Sequence, residues 1–305
     1  MLELLQAELK NKFPALPVFR DEPMKKHTSF QIGGPADLLV CPRSLGELEG
    51  VSALVRSFRV PLFVLGNGTN LLVGDRGIRG VVLKTAGAFT KIRVLSDGRL
   101  EAESGALLSR LAVTAAENGL AGLAFAHGIP GTVGGAVLMN AGAYGGEMAQ
   151  VVTKTTYLDK TGALCAISGA EHGFGYRESV FSSMPDSIIV AATLSLSPGS
   201  VGDIRAKMRE LAESRSEKQP LTEPSAGSAF KRPPGHFAGK LIADCGLKGY
   251  ACGGAFVSEK HAGFVVARAG ATANDVRALL AHIQETVYRE TGVSLEPEIR
   301  FVGEW

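Results

Sequence analysis

Cysteine is scarce in this chain. Cys41, Cys165, Cys245 and Cys252 are the only four in 305 residues, and the closest two have six residues between them, with no CxxC pair. Such spacing suits neither a zinc site nor a disulfide scaffold, and it points to free thiols in a reducing compartment. The six histidines are scattered, without an HxxxH or HExxH pair, so no metal site is expected. A GxSxG elbow is missing, which argues against a hydrolase triad. No GKS or GKT occurs, which removes the P-loop. Neither sign of charge dominates: 32 Lys and Arg against 30 Asp and Glu leave a net +2. The basic residues are spread along the chain, so nucleic acid is not expected as a partner. No uncharged apolar run reaches the length of a membrane span. The opening MLELLQAELK reads as a short amphipathic helix without the apolar core of a signal peptide. The expectation is a cytoplasmic protein with no membrane partner. With 45% hydrophobic and 20% charged residues, the chain has an ordinary globular composition and room for two or three domains.

Glycine is concentrated in one stretch, AHGIPGTVGGAVLMNAGAYGGE, from Ala126 to Glu147. Only His127 and Glu147 there carry ionisable charge near neutrality, and Ile, Val, Leu, Met and Tyr are interleaved. A flexible linker of this richness would carry Ser and charge. Glycines weaken any helix or strand built from them but let a ligand approach the backbone closely. The stretch is read as a backbone bed for a large, flat, partly apolar ligand.

Several elements are legible in order. Ser44 and Glu47 have capping-box spacing before Leu48, Val51, Leu54, Val55 and Phe58 at helical intervals. The buried-strand pattern PLFVL (61–65) runs into GNGTN (66–70). A dinucleotide fingerprint needs a third glycine and a long helix next, and the following LLVGDRGIRG supplies neither. That loop is either a nest of N–H groups for a pyrophosphate or a plain hairpin loop. Hairpins are expected around Asp97-Gly98 and over 151–167, a helix over Leu107–Asn118, and a strand ending near 197. A charged helix over 201–218 opens a different regime. A short helix (238–245), strands (253–258 and 263–267) and a helix from Thr272 to Glu290 follow, and the end, VSLEPEIRFV, alternates like a strand. The mixture reads as α+β, with segments 1–86, 87–200 and 201–305. Arg177, Ser228, Glu298 with Arg300, and Tyr144 stand beside glycine- or proline-rich backbone where loops carry function. Each is equally at home as a solvated loop residue or a surface pair.

These pieces together resemble the UDP-N-acetylenolpyruvoylglucosamine reductase (MurB) family of flavoenzymes. The blocks are HTSFQIGGPAD, VLGNGTNLLV, GIPGTVGGAVLMNAGAYGGE, FGYRESVF, SAGSAFKRP, AGKLIADCGLKG and LEPEIR, in order over about residues 27–302. The resemblance implies an α+β fold: a two-lobed FAD-binding region of the vanillyl-alcohol-oxidase type (lobes 1–86 and 87–200) and a substrate domain (201–305). It implies non-covalent FAD, with NADPH as co-substrate. Gly66, Asn67, Gly68, Thr69 and Asn70 would hold the pyrophosphate, and Thr132, Gly134, Gly135, Asn140, Ala141 and Gly142 the flavin. Tyr144, Tyr176, Lys218, Arg232 and Arg300 would contact the substrate, the enolpyruvyl ether of UDP-N-acetylglucosamine. The chain matches the shorter family subtype.

The family's catalytic trio carries over as Arg177, Ser228 and Glu298. Hydride goes from NADPH to FAD and then to the enolpyruvyl group, whose carboxylate side gathers negative charge. Arg177 can fork to that carboxylate. Glu298 helps only when protonated, and burial would raise its pKa in that direction. Ser228 delivers the final proton, eased by Lys231, Arg232 or an ordered water. The competing reading is an FAD-dependent oxidase or dehydrogenase of the same cofactor fold acting on another substrate.

Overall fold

The computed structural model describes residues 1–305. Contacts within the chain group it into two units. The first takes in 1–19, 38–67 and 80–215, and the second 20–37, 68–79 and 216–305. Segments distant in sequence are therefore interleaved in each unit.

Leu62–Leu65 and Ile78–Lys84 pair in parallel, Leu65 opposite Lys84, in a sheet that Pro35–Val40 and Val18–Pro23 extend in that order. Helices α1 (Leu2–Lys12) and α2 (Leu45–Ser57) share its core through Leu5, Leu9, Leu48, Val51 and Val55. The Ser44 hydroxyl accepts the Glu47 N–H at 3.2 Å, as its spacing predicts. The Glu47 carboxylate accepts from Arg43 N at 2.6 Å, one residue short of a strict capping box. A second sheet is antiparallel throughout, in the order Leu164–Ser168, Val152–Leu158, Ile188–Leu194, Leu100–Glu103, Ile92–Val94. Against it pack α3 (Leu108–Glu117) and α4 (Val133–Leu138).

Helix α4 corrects one expectation, for it forms inside the glycine stretch. Its first-turn N–H groups have partners outside the helix: Val133 N donates to Ala106 O and Gly134 N to Ser104 O, both at 2.8 Å. Those bonds and the burial of Val133, Ala136 and Val137 outweigh the intrinsic cost of Gly134 and Gly135, about 1 kcal/mol each. Helix α5 (Val201–Lys218) follows the expected bounds.

The second unit is built on an antiparallel sheet in the order Ser225–Ser228, Phe264–Ala267, Ala255–Val257, Ala251–Cys252. Its core includes α6 (Ala238–Asp244) and α7 (Ala273–Thr291). Helix α7 buries Val276, Leu279, Leu280, Ile283 and Val287 along one stripe. Thr272 and Asp275 form the expected reciprocal box, and Gly292 ends the helix in the left-handed region. The terminal segment is less regular than its alternation suggests, because only Arg300–Val302 is a ladder strand, parallel to Leu71–Val73. Pro297 has no N–H to give, and the residues around it pair instead with 229–231.

Candidate functional site

In the first unit, the loop after Leu65 rests on the glycine stretch. Asn67 Nδ2 donates to Pro130 O at 2.8 Å. A Cβ on Gly66 would stand 2.6 Å from Thr132 Oγ1. Thr132 is 1% exposed, and its hydroxyl is buried without a hydrogen-bond partner, as are Ser104 Oγ, His127 Nδ1 and Arg215 Nε of the same unit. Such groups are rare in folded proteins and need an explanation. Here they accompany backbone that carries no side chains at Gly134 and Gly135. No helix follows the GNGTN loop, as expected, since Leu71–Val73 is a strand.

Asn140 and Ala141 are both occupied by protein contacts. Asn140 donates from Nδ2 to Gly175 O at 2.8 Å and accepts from Ala149 N at 2.9 Å. Ala141 N donates to Ala136 O at 2.9 Å. Asn140 thereby tethers the turn that presents Tyr176 and Arg177. The Arg177 guanidinium carbon lies 5.0 Å from the Tyr176 ring centroid, and Nη2 donates to Gly142 O at 3.4 Å. Tyr144 is exposed at the tip of the hairpin between Gly142–Ala143 and Gly146–Glu147. Of the seven non-glycine residues at positive φ, three are Asn140, Tyr144 and Arg177, at 41°, 53° and 62°. Left-handed backbone at such residues costs about 1–2 kcal/mol each, and it gathers where geometry matters more than stability.

The sequence reasoning missed Arg215. Burial pushes its pKa down, opposed by the Tyr144 oxygen, and a Cβ on Gly128 would stand 3.0 Å from Arg215 Cδ. A desolvated guanidinium with an idle Nε calls for an anionic or electron-rich ligand. A signal was present: Ile204, Met208, Leu211 and Arg215 follow one another at helical spacing, so Arg215 continues the inward stripe of α5.

The second unit holds Ser228 and Glu298, 70 positions apart in sequence, on adjoining backbone. A register shift separates Ser225, opposite Val266, from Ser228, opposite Phe264. Gly227 sits in that bulge at φ 79°, where only glycine is unstrained. Beyond it, Ala229 N donates to Gly263 O at 2.8 Å, Glu298 N donates to Ala229 O at 2.9 Å, and Lys231 N donates to Glu296 O at 2.8 Å. Ser228 is exposed and Glu298 half-buried. The Lys231 ammonium pairs with the Glu296 carboxylate at 2.5 Å.

The rest of the GNGTN loop also lies in this unit. Gly68, at φ 63°, passes so close to His27 O that a Cβ would collide with it. Thr69 follows in the turn. Asn70 Nδ2 donates to Glu298 O at 3.0 Å, and Asn70 O accepts from Arg300 N at 3.0 Å. Arg232 lies over the Phe237 ring at 4.0 Å and donates from Nε to His236 O at 3.3 Å. Lys218 is exposed at the last residue of α5. Arg300 is exposed along its side chain, and the protein around its guanidinium pushes its pKa down by desolvation. No helix of the chain is long and apolar enough to cross a membrane.

Comparison with known proteins gives these features a common setting. Residues 219–302 match the family model for the C-terminal domain of UDP-N-acetylenolpyruvoylglucosamine reductase, and residues 36–168 match an FAD binding domain. The enzyme of that name from Caldanaerobacter subterraneus subsp. tengcongensis is 50% identical over 305 residues, covering 100% of both chains. The one from Clostridioides difficile is 48% identical over 284 residues, 93% of each. The crystal structure of the Thermus caldophilus enzyme superposes with a TM-score of 0.80 at 34% identity, covering 94% of this chain and 98% of that one. The architecture is α+β, an FAD-binding region followed by a C-terminal domain. The chain belongs to the UDP-N-acetylenolpyruvoylglucosamine reductase family.

Proposed function

We infer that this protein uses FAD and NADPH to reduce the enolpyruvyl ether of UDP-N-acetylglucosamine to UDP-N-acetylmuramate. That reaction belongs to peptidoglycan precursor synthesis in the cytoplasm, and through it to cell shape and division. Full-length identity to enzymes of that name supports the reaction. The observation that supports it from the structure is the Glu298 N–H donating to the carbonyl of Ala229, the residue after Ser228. Segments 1–86 and 87–200 serve the cofactor in this reading, and 201–305 the substrate.

FAD fits the first unit's residues. Thr132 Oγ1, Ser104 Oγ, His127 Nδ1 and Arg215 Nε are groups that a flavin's ring edge or a phosphate can satisfy. Gly66, Asn67, Gly68, Thr69 and Asn70 would hold the diphosphate, and Thr132, Gly134, Gly135, Asn140, Ala141 and Gly142 the ring. Asn140 and Ala141 act there by shaping the backbone, given the protein bonds they make. Arg215 would offset negative charge on the ring. When bound, FAD would supply the hydride chemistry that links NADPH to the terminal enolpyruvyl carbon.

The chain's own residues manage the charge and the proton. Arg177 binds the substrate carboxylate as a fork and stabilises the charge that accumulates as an enolate. Glu298 carries its proton in this step, because an ionised carboxylate would repel the enolate. Ser228 gives its hydroxyl proton to the carbon next to the carboxylate, completing the lactyl ether. Tyr144, Tyr176, Lys218, Arg232 and Arg300 hold the sugar and diphosphate. Loss of the Ser228 proton is eased by Lys231, Arg232 or an ordered water, and Lys231 is shared with Glu296.

Stepwise anaerobic titration tests the reading. NADPH should bleach the flavin absorbance, and the enolpyruvyl substrate should restore it with stoichiometric product. Bleaching without restoration favours an FAD oxidase or dehydrogenase acting on another substrate.

A further inference from the structure

His261 lies in the turn between Ala255–Val257 and Phe264–Ala267, with no part in the chemistry described above. Its ring is held on several sides. It meets the Phe264 ring edge-on at a centroid separation of 5.0 Å. A Cβ on Gly239 of α6 would stand 3.1 Å from Cε1. The His261 backbone N–H donates to Ser258 Oγ at 3.4 Å, and Phe264 N donates to His261 O at 2.9 Å. Burial favours the neutral form of the ring, opposed by its own backbone and aided by the nearby Lys248 charge. Of the charged neighbours in sequence, Lys260 is engaged with Ser216 O at 2.6 Å, and Lys240 of α6 with Asp244 at 2.6 Å.

The ring nitrogen Nδ1 accepts the N–H of Gly263, two residues on, at 3.0 Å. That bond requires Nδ1 to be unprotonated, which leaves the ring's proton on Nε2. It closes a turn of the kind that Asn and Asp side chains make with the N–H two residues ahead. Gly263 then accepts from Ala229, the residue after Ser228, and Ala229 accepts from Glu298 N. Three hydrogen bonds of 3.0, 2.8 and 2.9 Å thus run in series from the imidazole to Glu298. The bulge at Gly227 interrupts regular pairing before Ser228, so the placement of Ser228 rests on its position opposite Phe264 and on this series.

We propose that His261 is a positioning residue for the proton-donating step, fixing Ser228 and Glu298 through Gly263 and Ala229. The proposal rests on the reading of Ser228 given above. Catalytic groups must be held within about 0.5 Å of productive geometry, and a 1 Å displacement can cost about a hundredfold. Loss of the first bond in the series should therefore slow the second half-reaction and spare the first.

Stopped-flow of the holoenzyme tests this with His261→Phe, which keeps a ring and loses the acceptor, and His261→Asn, which keeps an acceptor for the Gly263 N–H. In His261→Phe, flavin reduction by NADPH should stay within about twofold of wild type, and reoxidation by the enolpyruvyl substrate should slow about tenfold or more. His261→Asn should restore reoxidation to within about threefold of wild type. Amide exchange of the 226–231 peptide should rise in the Phe variant and return in the Asn variant. Equal slowing of both half-reactions, unchanged reoxidation in His261→Phe, or failure of His261→Asn to rescue overturns the proposal. If His261→Phe does not fold, the Asn variant decides: slowed reoxidation with normal reduction in a protein of wild-type Tm refutes it. If wild type is not reoxidised by this substrate, the functional reading fails. If Ser228→Ala blocks reoxidation and the His261 variants do not, only the positioning role fails.

Discussion

Replacing Gly135 by alanine separates what the polypeptide needs from what the cofactor needs. Gly135 is exposed in α4, and a Cβ there would meet Thr132 Oγ1 at 3.7 Å, an ordinary contact, with no other atom in range. The fold therefore does not demand glycine. An added methyl reduces unfolded-state freedom and raises apoprotein stability by about 0.5–1 kcal/mol. In a chain of this size that is a Tm increase of about 1–3 °C. The same methyl projects from the surface assigned to the flavin, where overpacking costs about 1–3 kcal/mol, equal to a loss of affinity of about 5- to 150-fold. The two effects have opposite signs. Gly134→Ala is the control, because its Cβ would lie 2.9 Å from Ser104 Cβ and 3.2 Å from Ser104 O, so it should lower the apoprotein Tm itself. Apoprotein melting and FAD titration by flavin fluorescence measure both quantities, and Gly135→Val should purify colourless. Wild-type FAD affinity in Gly135→Ala would refute the assignment of this face to the flavin. A lower apoprotein Tm would refute the claim that the fold leaves the site open.

Ser228→Ala should leave flavin reduction by NADPH near normal and collapse reoxidation by the substrate; stopped-flow showing equal losses in both would remove the serine from the proton step. Arg177→Lys keeps the charge and loses the fork, so reoxidation should fall about 10- to 100-fold, read as kcat at saturating substrate, and an unchanged kcat would count against the carboxylate contact. Burial pushes the pKa of His261 down, with the Lys248 charge acting the same way, so the unfolded chain takes up a proton there at higher pH than the folded protein. Stability from this group is intact above the unfolded value and falls as pH drops below about 6.5 toward the folded value. A Tm series against pH should show that loss in wild type and not in His261→Asn; parallel curves contradict it.

The fold was legible where periodicity was strong. The stripe of α7 and its Thr272 cap, the bounds of α5, and the hairpin at Asp97-Gly98 follow from local pattern alone. Helix α4 was not, because the bonds that secure its first turn come from Ser104 and Ala106, some thirty positions earlier. In the candidate site, family blocks gave the identities of Arg177, Ser228 and Glu298. Their supports were silent in sequence: Asn140 reaches Gly175, and His261 reaches Gly263 in a turn that composition does not distinguish. Arg215 is intermediate, since its position on the inward stripe of α5 is visible and the loss of water around it is not.

Asn70 is the sharpest case of a residue whose sequence context and structural bonds suggest different work. Its place at the end of GNGTN proposes it as a ligand of the pyrophosphate. Its side-chain amide nonetheless donates to the Glu298 carbonyl, 228 positions away, and its own carbonyl accepts from Arg300 N. No local pattern carries that information. The two roles separate in Asn70→Asp, which keeps the size, removes the Nδ2 donor and sets a carboxylate against a carbonyl oxygen. Loss of one charge-neutral hydrogen bond and the new repulsion together should displace Glu298, slowing reoxidation about tenfold or more. If the amide serves Glu298, the variant should purify with its full flavin content, be reduced normally by NADPH, and fail in the second half-reaction. A colourless protein whose reconstituted form turns over normally would place Asn70 on the cofactor alone. The bonds in this unit favour the first outcome, because Asn70 and Ala229 grip Glu298 at its carbonyl and its N–H. The carboxyl group proposed to keep its proton is thereby anchored through both peptide units that flank its Cα.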